Sequence, residues 1–179
     1  MTDGTIRLAT RDDVDEIFQL IRDLADYERG LDQVRITPDA LASLLFGGDD
    51  PTIASVTHHG HPAAWCHVVE HADGERQLGG FALWFLNTST WTGKHGIYLE
   101  DLFVRPEVRG RGYGQVLLST LAAECVQNDY ARLEWWVLDW NSPAIDFYLA
   151  QGAEAMDEWT VYRVSGDELP RLAGTRFSE

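Results

Sequence analysis

Apolar residues recur along this chain with two different periods. Residues 5–9 (TIRLA) alternate, which predicts a short strand. From Val14 the spacing changes, and Val14, Ile17, Phe18, Ile21, Leu24 and Ala25 fall on one helical face. Thr10 is placed to cap that helix, with Asp12 and Asp13 near the positive end of its dipole. Thr37-Pro38 starts a second helix, which Gly47-Gly48 stops. Strands are expected at 53–56, 63–70, 78–86 and 97–105, separated by His59-Gly60, Asp73-Gly74 and Gly93. The helical period returns over 112–127, where Val116, Leu117, Leu121 and Cys125 are apolar. Residues 133–138, rich in Trp and Val, read as a buried strand. Pro143, capped by Ser142 or Asn141, opens a helix running to Gln151, and 159–164 reads as a last strand before a short closing helix. Helices first, then consecutive strands, then β-α-β-α-β: this order predicts an α/β fold. Its sheet is mixed and mostly antiparallel, with a parallel pair near the centre.

Composition narrows the picture. A chain of 179 residues is most simply one domain, and 45% hydrophobic residues can build its core without a metal or disulfide. The 29 acids outnumber the 14 Lys and Arg. That excess argues against nucleic acid, which wants a broad basic surface, and is compatible with a cationic substrate. Cys66 and Cys125 are far apart, show no zinc spacing and read as packed thiols. His58-His59-Gly60-His61 reads as a solvated turn, so no metal is expected. With no signal-peptide pattern and no apolar run approaching the ~20 residues of a membrane span, the expectation is a soluble cytoplasmic protein without a membrane partner.

Against this acidic background, Arg105, Arg109 and Arg111 gather beside Gly110, Gly112 and Gly114. The segment RGRGYG, residues 109–114, joins a predicted strand to a predicted helix. Such a turn exposes backbone N–H groups that lack helical partners; with the dipole they form an anion site that glycine lets a phosphate approach. The spacing is not the dinucleotide pattern, because Gln115 stands where a third glycine would be, and no Walker lysine follows.

Arg109, Gly112 and Gly114 do match Arg-x-x-Gly-x-Gly, which resembles the acyl-coenzyme A loop of the GNAT superfamily of N-acetyltransferases. Further segments resemble its diamine (spermidine/spermine) acetyltransferase branch: IRLAT, Leu24-Ala25-Asp26-Tyr27-Glu28, Trp91-Thr92-Gly93-Lys94, YLEDLFV at 98–104, WNSPAIDFY at 140–148, and Gly152-Ala153. The resemblance covers almost the whole chain. It implies the GNAT fold with helices on both faces of the sheet, acetyl-CoA as cosubstrate, and a homodimer. It also implies that the cosubstrate is held by Leu102, Phe103 and Val104, by Arg109, Gly110, Arg111, Gly112, Tyr113, Gly114 and Gln115, and by Asn141 and Ala144.

The chemistry is attack of an amine on a thioester. An alkyl ammonium, with a pKa of about 10.4, must lose a proton first. Glu100 is the candidate base, acting directly or through water. A regular strand points Glu100 and Asp101 to opposite faces, so one alone serves the cleft unless a bulge intervenes. Tyr148 matches the family's general acid for the departing thiolate. A backbone N–H from residues 102–104 is expected to hold the oxyanion.

Tyr27, Glu28, Asp32, Glu100 and Trp159 are the candidate residues for the amine, with Trp91 a further cation–π face. The chain departs from the animal polyamine enzymes at Arg29-Gly30-Leu31-Asp32-Gln33, where those carry a denser acidic run. A diamine, a polyamine and a lysine-like amine therefore all stay open as acceptors, as does a protein lysine. The alternative is a catalytically silent acyl-CoA binding or sensing domain of the same fold.

Overall fold

The computed structural model describes residues 4–48, 60–73 and 76–174. It forms two compact units, residues 1–137 and 138–179. In the first unit, β1 (Thr5–Leu8), β2 (Trp65–Asp73), β3 (Arg76–Ser89), β4 (Lys94–Val104) and β5 (Leu133–Glu134) form one sheet in sequence order. The first three pairings are antiparallel, and β4 with β5 is parallel. This is the mixed, mostly antiparallel sheet that the element order predicts, except that the parallel pair expected near the centre lies at the β5 edge of the described sheet. The expected strand at 53–56 lies outside the described residues, as do His58 and His59.

Helices cover both faces. A turn of 3-10 helix at Arg11–Asp13 leads into α1 (Val14–Tyr27), and α2 (Pro38–Phe46) follows. Thr37 caps α2 by accepting a hydrogen bond from the Ala40 N–H, 3.2 Å, and Gly47 stops it at φ 73°. Ile17 and Leu20 of α1 and Leu41 of α2 pack with Cys66, Val68, Phe81, Leu83 and Phe103 on one face of the sheet. The alternate residues of β2, His67, Val69 and His71, face the other way, toward α3 (Tyr113–Gln127). Among the described residues no helix is long and apolar enough to cross a membrane.

Two expected strands are corrected. The strand read at 133–138 pairs over Leu133–Glu134 alone. A bulge at Glu100 bends β4 just past its last pair with β5, Tyr98↔Glu134, so residues 135–138 have no ladder to join. The strand read at 159–164 is absent. Its alternating pattern is real, but a strand exists through its ladder, and no described strand pairs with it. The second unit instead carries α4 (Ser142–Ala150) and the short α5 (Glu168–Ala173).

Candidate active site

The arginine–glycine loop is built as the sequence predicts. After β4, a turn of 3-10 helix at Pro106–Val108 buries Val108, and the chain enters α3 through Gly110 at φ 77° and Gly112 at φ 84°. Both lie in the left-handed region that favours glycine. Nothing lies within 4 Å of a Cβ placed on Gly110, so conformation rather than crowding demands glycine there. Gly112 is the N-cap and supplies no side-chain cap, and the first turn of α3 holds no acid. No side chain caps the opening N–H groups of this 15-residue helix, and such a helix start can take an external anion. Arg109, Gly110, Arg111, Gly112 and Gln115 are exposed around it.

The three arginines divide. Arg105 is 3% exposed and faces no ligand. Its guanidinium donates to Asp23 Oδ2 at 2.9 Å, to Glu16 Oε1 at 3.3 Å and to the Leu78 carbonyl at 2.8 Å, tying α1 to β3. Arg109 donates from Nε to the Val104 carbonyl at 3.0 Å and lies over the rings of Tyr27 (5.1 Å) and Phe103 (5.6 Å). It thereby joins the glycine loop to the end of α1, a contact between a candidate cosubstrate residue and a candidate amine residue.

The acids meet on β4. In the β3–β4 register, Leu83 faces Asp101 while its neighbour Trp84 faces Leu99, so Glu100 is the extra residue of a bulge. The bulge breaks the strict alternation assumed for Glu100 and Asp101. Glu100 is exposed; Asp101 is half-buried beside Leu83 and Phe103. Burial pushes the Asp101 carboxyl up to about 7, and the negative charges of Glu100 and Glu28 push the same way. The Glu28 carboxyl, at the end of α1, is itself raised by lost hydration. Three carboxyls thus lie within electrostatic reach, and the most buried of them was not among the candidates. Its signal in the sequence was the Glu-Asp pair, but the bulge that makes both count is a feature of pairing.

Beyond Tyr98, β4 continues through Leu102, Phe103 and Val104 with no partner on the β5 side among the described residues. Its backbone there is paired to β3 alone, which leaves an open edge running from the acids to the glycine loop. Asp32 sits in a one-turn 3-10 helix, Leu31–Gln33, where its carbonyl accepts from Arg35 Nη1. Trp91 is 92% exposed in the turn between β3 and β4. Burial pushes both thiols up, and nearby acids push the same way, Asp101 and Asp13 at Cys66 and Glu124 at Cys125, as befits packed thiols.

In the second unit, Asn141, Ala144 and Tyr148 share one helix. Asn141 caps α4, its Oδ1 accepting from the Ala144 N–H at 3.4 Å. Tyr148 is one turn beyond Ala144, its ring 5.2 Å from that of Phe147. Trp159 follows in irregular backbone, its N–H donating to the Met156 carbonyl.

Residues 17–153 match the model of the acetyltransferase (GNAT) family. The chain is 37% identical over 177 residues to a thialysine N-epsilon-acetyltransferase of Bos taurus, covering 94% of this chain and 96% of that one. It is 34% identical to an L-ornithine N5-acetyltransferase of Arabidopsis thaliana, covering 93% and 86%. A spermidine/spermine N(1)-acetyltransferase-like protein of Homo sapiens is 29% identical, and the match spans 23% of that longer protein. Among solved structures, an integron cassette protein from the V. cholerae mobile metagenome has the same fold. It superposes with a TM-score of 0.72 at 23% identity, covering 98% of this chain and 99% of that one.

Proposed function

We infer that this chain, which belongs to the acetyltransferase (GNAT) family, moves an acetyl group from acetyl-CoA to a primary amine of a small cation carrying a second charged group. It is an N-acetyltransferase; the finer reading is the acceptor class and the division of labour among residues. The observation that carries it is the trio Glu28, Glu100 and Asp101, set at the start of an open strand edge that ends in an uncapped, glycine-paved helix N-terminus.

The residues fit the cosubstrate. Left-handed Gly110 and Gly112 and the free N–H groups of α3 suit two adjacent phosphates, with Arg111 and Arg109 adding charge. Acetyl-CoA supplies an activated acyl group as a thioester. The acidic trio draws the ammonium; burial first, and the negative charges of Glu100 and Glu28 after it, raise the Asp101 carboxyl to about 7, where it can act as a proton acceptor. The Glu100–Asp101 pair takes the ammonium proton, directly or through water, with Glu100 the exposed member. Tyr148 Oη is the proton donor for the departing thiolate, and the open edge at residues 102–104 offers N–H groups to the oxyanion. Asn141 and Ala144 line the arm of the cosubstrate. Tyr27 and Trp159 offer aromatic faces to the cation, Asp32 a further charge. Curated relatives named for thialysine and ornithine, together with Arg29 and Leu31 in place of a dense acidic run, favour a diamino acid over a long polyamine. The working unit is a homodimer in the cytoplasm.

A thiol-release assay with acetyl-CoA over ornithine, lysine analogues, short diamines and spermidine tests this. Turnover is expected to be highest on a diamino acid, and Tyr148→Phe is expected to cut kcat by roughly 10²–10⁴-fold with cosubstrate affinity kept. Coenzyme A binding with no turnover on any amine selects the silent binding domain instead.

A further inference from the structure

Tyr113 is the one buried residue between Arg109 and Gln115, at 1% exposure, in a loop otherwise turned to solvent. Being the first residue of α3, it offers a ligand only its main chain; its side chain runs inward, away from the anion site. Its hydroxyl shares a 2.8 Å hydrogen bond with Nδ1 of His71 on β2, and the two rings are tilted at 5.6 Å. The slot for the ring is made by missing side chains. A Cβ on Gly4 would come within 2.9 Å of Tyr113 Cε1, and one on Gly79 within 3.3 Å of Cε2. The segment before β1, the end of β2 and the start of β3 therefore all converge on one phenol.

Two left-handed glycines give the loop freedom, and Gly112 brings no side-chain cap to hold the helix end in place. Something else must fix where the N–H groups point, because a pyrophosphate cradle works by alignment of its donors. We propose that the Tyr113–His71 couple positions the mouth of α3 and so sets affinity for acyl-CoA, through side chains that touch neither the cosubstrate nor the amine. The proposal rests on the acyl-CoA reading of the glycine loop. Tyr113 and His71 are positioning residues, and Gly4 and Gly79 are the space that admits them.

Calorimetry with coenzyme A, paired with steady-state kinetics on the best amine, tests the couple in Tyr113→Phe, His71→Leu and His71→Asn. An Asn amide lies where Nδ1 does and keeps the bond. Expected are a roughly 3- to 10-fold weaker Kd and a matching rise in acetyl-CoA KM for Tyr113→Phe and His71→Leu, the range for one hydrogen bond. The amine KM and kcat stay level, His71→Asn restores affinity, and the Phe/Leu double variant is no worse than either single, as one shared bond requires. Wild-type affinity in both Tyr113→Phe and His71→Leu overturns the couple while leaving the cradle standing. A fall in Tm and kcat together with a rise in amine KM overturns it as well, by making the pair general scaffolding. A wild-type chain that binds no coenzyme A sinks the cradle reading itself, and the couple with it.

Discussion

Two charged clusters sit within the first unit, and they are built on opposite rules. In one, Arg105 is enclosed by Glu16 and Asp23 and by the Leu78 carbonyl, so a buried cation is matched by anions and donors by acceptors. In the other, burial raises the Asp101 carboxyl and its neighbours Glu100 and Glu28 push the same way, so like charges meet and the carboxyl stands at about 7. A buried charge with its partners supplied by the fold is scaffolding, and removing one partner strands the rest. A carboxyl surrounded by its own sign is destabilising unless a cation from outside completes it, which is what a catalytic or binding site looks like. The chain thus places its structural arginine and the acids proposed for the chemistry on the same strand and its exit, at 105 and at 100–101.

The sharpest way to break this comparison is Asp101→Asn. If Asp101 serves chemistry, kcat/KM on the best amine falls roughly 10²–10⁴-fold with the fold intact; activity within threefold of wild type would place Asp101 among the scaffolding. Arg105→Ala should do the reverse, costing about 3–5 kcal/mol of stability in denaturant titration because it leaves Glu16 and Asp23 without their cation. A stable Arg105→Ala protein would dissolve the contrast from the other side.

Acidity sharpens it further. A base held at about 7 must be deprotonated to act, so kcat/KM should climb with pH through that value, and Asp101→Asn should remove the limb. The same carboxyl has a linkage sign. Its folded-state value is raised above the ordinary carboxylate range, so the stability it contributes is present at acid pH and lost as pH rises through about 7. Asp101→Asn should therefore melt roughly 4–8 °C higher than wild type at pH 8, with the gain fading toward pH 5. An equal gain at both pH values would show that charge is not its cause.

The smallest effect tests the neighbourhood. Glu28→Gln removes one of the charges that raise Asp101, so the kinetic limb should move to lower pH by about a few tenths, with amine KM up roughly threefold. A limb that stays put would detach Glu28 from the trio.

Periodicity and turn chemistry placed α1 with its core face, the Thr37-to-Gly47 helix, the antiparallel strands and the glycine entry to α3, because each is set by neighbours in sequence. The motif words located the family for the same reason. The alternation of residues 159–164 and the Trp-rich 133–138 promised strands that the pairing does not supply, since a ladder needs a partner that no local pattern can guarantee. Likewise, three arginines within seven residues look alike on paper. Only the packing of α1 over β3 turned Arg105 into a buried tie and left Arg109 over Tyr27 and Phe103. The bulge that joins Glu100 and Asp101, and the glycine slot that takes Tyr113 inward to His71, belong to the same class. The chain by itself determined which chemical groups are present and which local turns they make. Tertiary structure decided which of those groups are paired and which are left wanting a ligand, because pairing depends on residues up to 89 positions apart meeting across helix and sheet.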